Sequence, residues 1–304
     1  MQKELLWGVD LGGTKTELVV VPQNQPAKPL FRKRIKTPKD QGYQAVLQSV
    51  KDLVSQAKKE LAQTPEILGI GAPGALDPLT GKVRNSNTLC LNGKPLDQDL
   101  KETLQIEKII IENDANCFAL AEAWLGSAKD SSSVFGVIMG TGVGGGLVYQ
   151  KKIIKGYQGI GGEWGHNTLV ENGELCYCGK KGCVETVISG PALEKLYQKK
   201  THKKKSLKEI ISAENKENIN FLIDHLISYF AKAIAVVINI FDPETVVLGG
   251  GLSNINALYS NKCKELVYKE IFHDSPKTKI VKNTLGDSAG VFGAAMLSAS
   301  SKLN

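Results

Sequence analysis

Two stretches of the chain repeat one plan. Residues 6–21, LWGVDLGGTKTELVVV, and residues 135–150, FGVIMGTGVGGGLVYQ, each read as an apolar strand, a Gly/Thr turn and a second apolar strand. Apolar, β-branched runs bounded by glycine are strand signals. This repetition constrains the fold more than any other feature. It predicts two related α/β halves facing a common cleft. Each turn exposes successive backbone N–H groups, a concavity suited to an anion such as phosphate.

The glycine pattern also excludes alternatives. Gly140–Gly146 contains G-x-G-x-x-G, but Leu147-Val148-Tyr149 continues as a strand. A dinucleotide-binding turn opens a helix instead. No G-x-x-x-x-G-K-[ST] occurs, so a P-loop is excluded. The chain holds 31 glycines in 304 residues, about ten more than average usage gives. Twenty of them stand in six clusters, with no Gly-X-Y period and only 11 prolines. Clustered glycine predicts backbone close to a ligand.

Within the first turn, Asp10 is a candidate to hold Mg²⁺ through water, since Mg²⁺ prefers oxygen ligands and keeps its waters. Gly12 and Gly13 leave their peptides open, Thr14 offers a hydroxyl donor to phosphate, and Lys15 a neutralising charge. In the second turn, Thr141 adds a hydroxyl to the open peptides of Gly142 and Gly144.

Asn113-Asp114 lies between an apolar strand, Lys108–Ile111, and an Ala-rich helix, Ala115–Leu125. A carboxylate at the carboxyl end of an α/β strand is well placed for chemistry. Asp114 is either a general base for a hydroxyl attacking a phosphate or a helix N-cap.

Cys176, Cys178 and Cys183 form C-x-C-x₄-C, and His166 lies ten residues upstream. Three thiolates and one imidazole make a tetrahedral structural zinc set. C-x-C is a poor disulfide spacing. Glu163 and Glu185 flank this loop, either as surface glutamates or as carboxylates presented to sugar hydroxyls.

Bulk properties set limits. A chain of 304 residues exceeds the usual single core, so two domains are expected. The net charge of +7 is dispersed apart from Lys199-Lys200 and Lys203–Lys205, which carry no interleaved aromatics and read as a solvated loop. No nucleic-acid partner is expected. Only six residues precede Trp7, too few for a signal peptide. The apolar stretch Ile219–Phe241 contains Asp224, His225 and Lys232 and reads as a buried helix, not a membrane span. Six cysteines without a secretory signal suit a reducing cytoplasm. Further elements are expected as strands at 67–72, 245–248 and 280–281 and as helices at 46–61, 192–198, 254–268 and 289–300.

Taken together these residues resemble the ROK family, built on the actin/hexokinase-like (ribonuclease H-like) ATPase fold. The resemblance spans nearly the whole chain. It rests on DLGGTK at 10–15, NDAN at 113–116, GTGVGGG at 140–146, EWGH at 163–166 with CYCGKKGC at 176–183, and VLGGGLS at 247–253. It implies an ATP- and Mg²⁺-dependent hexose kinase with a structural Zn²⁺. Asp114 would be the base. Asn113, Glu163, His166 and Glu185 would bind sugar hydroxyls, with Gly74 and Asn87 completing the pocket. His166 would also ligate zinc, and Gly249, Gly250 and Gly251 would pass close to the nucleoside. A small lobe of 1–116 plus 288–304, a larger lobe of 117–287, and a homodimer are expected.

The segments TGKVRNSNT, LNGKPLDQDL, GEWGHN and CYCGKKGCVETVISG look most like the fructokinase branch, so D-fructose is the expected acceptor. The alternatives are N-acetylglucosamine or glucose. The N-acetylglucosamine kinase branch shares NDANCFAL and GTGVGGGL but carries Phe where Trp164 stands. Both branches have His-Gly-Asp where this chain has Leu285-Gly286-Asp287. ROK also contains repressors and non-catalytic sugar sensors. A repressor carries a DNA-binding domain ahead of the sugar domain; with DLGGTK at residue 10, none is expected.

Overall fold

The computed structural model describes residues 4–303, apart from the side chain of Ala213. The chain forms two compact units. The first comprises the chain up to Asp130, Gly146–Gly161 and the stretch from Thr284 on; the second comprises Ser131–Gly145 and Gly162–Asn283.

In the first unit, β1 (Leu5–Leu11), β2 (Lys15–Pro22), β3 (Phe31–Lys36) and β4 (Ile67–Ala72) precede a short pair, β5 (Ala75–Leu76) and β6 (Val83–Arg84), and then β7 (Lys108–Asn113). The main sheet runs β3-β2-β1-β4-β7. β1, β2 and β3 are antiparallel neighbours, while β4 lies parallel to both β1 and β7. Helix α1 (Tyr43–Leu61) buries Val46, Val50, Leu53 and Ala57, one stripe at helical spacing. Helix α2 (Leu96–Leu104) adds Leu96, Leu100 and Leu104 to the same core. Each Val and Leu among them contributes roughly 1.5–3 kcal/mol of burial.

Helix α3 (Asp114–Trp124) and the C-terminal helix (Ala289–Ser300) are buried almost all round. The C-terminal helix lies so close to the sheet that a Cβ at Gly8 would stand 2.2 Å from Ala295 N, and one at Gly69 would stand 1.8 Å from Ala294 O. These glycines therefore serve helix-on-sheet packing and not a ligand. Because α3 packs on the C-terminal helix, the first unit extends past residue 116, where the sequence suggested a boundary.

The second sheet takes the order β10-β9-β8-β11-β12, from β8 (Ser133–Met139), β9 (Val143–Tyr149), β10 (Lys152–Ile153), β11 (Thr245–Gly249) and β12 (Lys279–Lys282). β11 is parallel to both β8 and β12. Helices α4 (Val184–Ile188), α5 (Gly190–Thr201), α6 (Leu207–Ala213), α7 (Lys216–Phe241) and α8 (Asn261–Glu270) follow. Helix α7 is long and apolar enough to cross a membrane by length and composition, yet half of its most apolar stretch is buried within the protein. Leu226, Phe230, Ile234 and Ile238 form its inner face.

The helix expected over 254–268 is shorter. Gly251–Asn254 and Asn256–Tyr259 are 3₁₀ turns, and α8 begins at Asn261. Ser260 breaks the run by capping α8: its hydroxyl accepts from Cys263 N at 3.2 Å.

Candidate active site

The parallel register of the first unit sets its chemistry. Asp10 pairs with Gly71, and Ala72 with Asn113, so the carboxyl ends of β1, β4 and β7 lie side by side. Ligands of open α/β sheets bind at such ends. Asn113 caps α3: its Oδ1 accepts from Asn116 N at 2.6 Å. Asp114 is the first helical residue, and its Oδ1 accepts from Ala115 N at 2.9 Å. Solvent reaches the Asp114 side chain, but the surrounding chain is dense enough that desolvation raises its pKa above the ordinary carboxylate value.

Asp10 is half-buried, and its carboxylate takes no hydrogen bond among the described residues. Burial, and then the nearby charge of Asp114, raise its pKa to about 7. A half-buried carboxylate with a second carboxylate in its field and no direct cationic partner fits a divalent cation. Mg²⁺, held through water, suits it.

Between Asp10 and Lys15 the first turn closes through Gly12 N to Lys15 O at 2.9 Å, and Thr37 N donates to Thr14 O at 3.0 Å. The N–H groups of Gly13 and Thr14 have no partner among the described residues. A Cβ at Gly13 would stand 3.1 Å from Thr88 Oγ1 and 3.6 Å from Asn87 Oδ1. The structure thus brings Asn87 to the first turn. Gly74 joins the same segment: a Cβ there would stand 2.4 Å from Arg84 O. Thr88 escaped the sequence reading. Its hydroxyl is buried and without a hydrogen-bond partner, and nothing in its local sequence marks it. Lys15 and Thr14 are exposed at the start of β2.

In the second unit the β8–β9 turn is closed by Gly140 N to Gly142 O at 2.9 Å. The N–H groups of Thr141 and Gly142 are free among the described residues. Gly250 has φ +78°, and a Cβ there would stand 2.3 Å from Met139 O, so only glycine lets Gly249–Gly251 lie on the hairpin. A Cβ on Gly140 would meet only Gly251 N, at 3.9 Å, and one on Gly251 would meet nothing within 4 Å. This open edge of bare backbone suits a nucleotide.

The sequence-predicted metal ligands converge. The donor atoms of His166, Cys176, Cys178 and Cys183 all lie within 4.8 Å of one another. Cys178 Sγ and Cys183 Sγ are 3.6 Å apart, as are Cys176 Sγ and His166 Nδ1. Zinc–sulfur bonds of roughly 2.3 Å put tetrahedral sulfurs about 3.7 Å apart, so the set fits one Zn²⁺. The Lys180 N–H lowers the Cys178 thiol pKa, whereas burial raises that of Cys183 to about 12. Tyr177 OH lies 3.0 Å from His166 Nε2, on the ring nitrogen that faces away from the sulfurs.

Glu163 is exposed beside this cluster, whereas Glu185 is half-buried. Glu185 Oε2 accepts from Val143 N at 2.9 Å. Trp164 is buried in the core. It packs edge-on against Phe135 at 5.7 Å, and its Nε1 donates to Gly144 O at 3.0 Å.

Two α/β units, a glycine hairpin in each and carboxylates at parallel strand ends define the class: a protein of the hexokinase-like ATPase fold. The chain belongs to the ROK family, whose pattern matches residues 6–301. An N-acetyl-D-glucosamine kinase of Vibrio atlanticus is 38% identical over 305 residues, covering 96% of this chain and 99% of that protein. The structure of a ROK hexokinase from Thermus thermophilus superposes with a TM-score of 0.84 at 30% identity, covering 98% of this chain and 100% of that one. A ROK glucokinase from Streptomyces griseus, solved with glucose and AMPPNP, gives 0.76 at 26% identity, covering 97% of this chain and 99% of that one.

Proposed function

We propose that the protein phosphorylates an N-acetylated hexosamine, N-acetylglucosamine first among them, using ATP. It is an ATP-dependent sugar kinase. The observation that carries the choice of sugar is the 38% identity to an N-acetyl-D-glucosamine kinase over nearly the full length of both chains. The sequence had favoured fructose, partly on Trp164. In the structure Trp164 is a core residue packed on Phe135. A Trp/Phe difference there changes core packing and removes the Nε1 hydrogen bond to Gly144 O.

In this reading Asp114 accepts the proton of the attacking hydroxyl, O6, as that oxygen bonds to the γ-phosphorus and ADP leaves. A raised pKa strengthens Asp114 as a base. Asn113, Asn87 and Gly74 are the sugar-orienting candidates of the first unit; Glu163, His166 and Glu185 are those of the second. The free N–H groups of each turn suit a phosphate, joined in the first unit by the Thr14 hydroxyl and Lys15 and in the second by the Thr141 hydroxyl. Gly249–Gly251 accommodate the nucleoside. Mg²⁺, when held by Asp10 through water, supplies charge neutralisation at the phosphates. Zn²⁺, when held by His166 and the three cysteines, fixes the loop that carries the sugar-binding side chains. Six unpaired cysteines suit a cytoplasmic enzyme.

A coupled ADP-release assay across N-acetylglucosamine, N-acetylmannosamine, glucose, mannose and fructose tests the choice. The highest kcat/KM should fall on an N-acetylated sugar, and Trp164→Phe should leave the ranking unchanged. A ranking led by fructose, in the native chain, overturns the acceptor. No turnover with any sugar overturns the kinase.

A further inference from the structure

Glu185 does more than face a substrate. Its Oε2 accepts the Val143 N–H at 2.9 Å, across 42 residues of sequence. Its carboxylate also lies close beside the turn, where a Cβ built on Gly142 would stand 2.6 Å from Oε2. One helix later the same corner makes a second tether: Gly190 N donates to Gly140 O at 2.8 Å. The two tethers grip the turn on both sides of Thr141-Gly142. These are the residues whose N–H groups are left free.

The corner is itself rigid. Cys183 is the N-cap of α4, and its carbonyl accepts from Thr186 N at 2.9 Å and from Thr186 Oγ1 at 2.8 Å. Glu185 O accepts from Ser189 N at 3.2 Å, and the Ser189 hydroxyl caps α5 through Ala192 N at 3.3 Å. Glu185 is thus held at a fixed height above the hairpin by the metal loop on one side and α5 on the other. A turn rich in glycine pays heavily to become ordered. A pre-set turn has already lost that entropy before ligand arrives.

We propose that Glu185 is a positioning residue for the nucleotide: by accepting the Val143 N–H it fixes the Thr141-Gly142 peptides in the orientation that receives a phosphate. This rests on the reading of the β8–β9 turn as a phosphate cradle. It gives Glu185 an effect on nucleotide binding that exists before any sugar is present. A residue that only bound sugar would have none.

The test is calorimetric titration of the full-length protein with ADP and with a non-hydrolysable ATP analogue, in Mg²⁺ and without sugar. Zinc content and melting temperature are checked for each variant. Glu185→Ala and Glu185→Asp, which lack the acceptor or its reach, should lose about 10-fold or more in nucleotide affinity. Glu185→Gln keeps an acceptor oxygen and should bind nucleotide at least as tightly as the native chain. If Glu185→Ala does not fold, Glu185→Asp carries the comparison. Native affinity in both the Ala and Asp variants overturns the proposal, and so does an equal loss in the Gln variant. If the native chain itself binds neither nucleotide, the kinase reading fails instead.

Discussion

Asn113 Oδ1 accepts the Asn116 N–H at 2.6 Å and so takes the capping position of α3. Asp114, one residue on, is tied only to local backbone N–H groups. Within the adjacent pair the amide builds the helix end, and the carboxylate is the proposed base. Asp114→Asn should therefore lower kcat by about 100-fold or more, with nucleotide and sugar affinities kept. Asn113→Ala should cost about 1 kcal/mol of stability through the lost cap. Because desolvation by the surrounding chain raises the Asp114 pKa and the base must be ionised, kcat/KM should fall as pH drops through a value above the ordinary carboxylate range. Steady-state kinetics from pH 4 to 9 checks this; a near-native kcat in Asp114→Asn removes it as the base.

Asp10 links stability to pH. Its carboxyl ionises at an ordinary value of 3.8 in the unfolded chain and at about 7 in the folded unit. Folding between those values takes up a proton. The stabilisation is full below about 4 and is lost as pH rises toward about 7. Asp10→Asn does not ionise, so without Mg²⁺ its melting temperature should match the native chain near pH 4. By pH 8 it should exceed the native value by several degrees, on the order of 5–8 °C. A difference that does not change with pH contradicts the assignment.

The metal loop gives a direct count. Metal analysis should find one zinc per chain, bound by His166, Cys176, Cys178 and Cys183. Cys178→Ser should lose it, and sugar affinity should fall with it because Glu163, His166 and Glu185 flank that loop. Retention of both metal and sugar affinity in the variant would break the link between them.

Glu122 has no exposed surface. Its carboxylate accepts from Ser127 N at 2.8 Å, Ser127 Oγ at 3.1 Å, Thr284 N at 3.1 Å and Leu285 N at 3.0 Å. Glu122→Ala strands these donors and should cost at least about 3 kcal/mol in urea unfolding. At residue 285 the main-chain N–H makes the contact, which any residue but proline supplies. Leu285→His should therefore leave stability and turnover near native. A large loss of either would give the Leu285 side chain a role that this geometry does not show.

Local sequence alone determined the two strand–turn–strand hairpins, the C-x-C-x₄-C loop with its upstream histidine, and the carboxylate at the end of β7. These features are written at short spacing, where backbone propensity and side-chain alternation decide the outcome. The surplus of glycine was legible as close approach, but not what each glycine approaches. Gly8 and Gly69 turn out to seat the C-terminal helix, while Gly250 rests on Met139. Nor could spacing show that Asn113 rather than Asp114 is the cap, that Trp164 is core, or that Thr88 is buried beside Gly13 with an unpaired hydroxyl. The contact of Glu185 with Val143 spans 42 residues. Such pairings depend on which side chains the packed sheets and helices bring within about 3 Å, and only tertiary packing decides that.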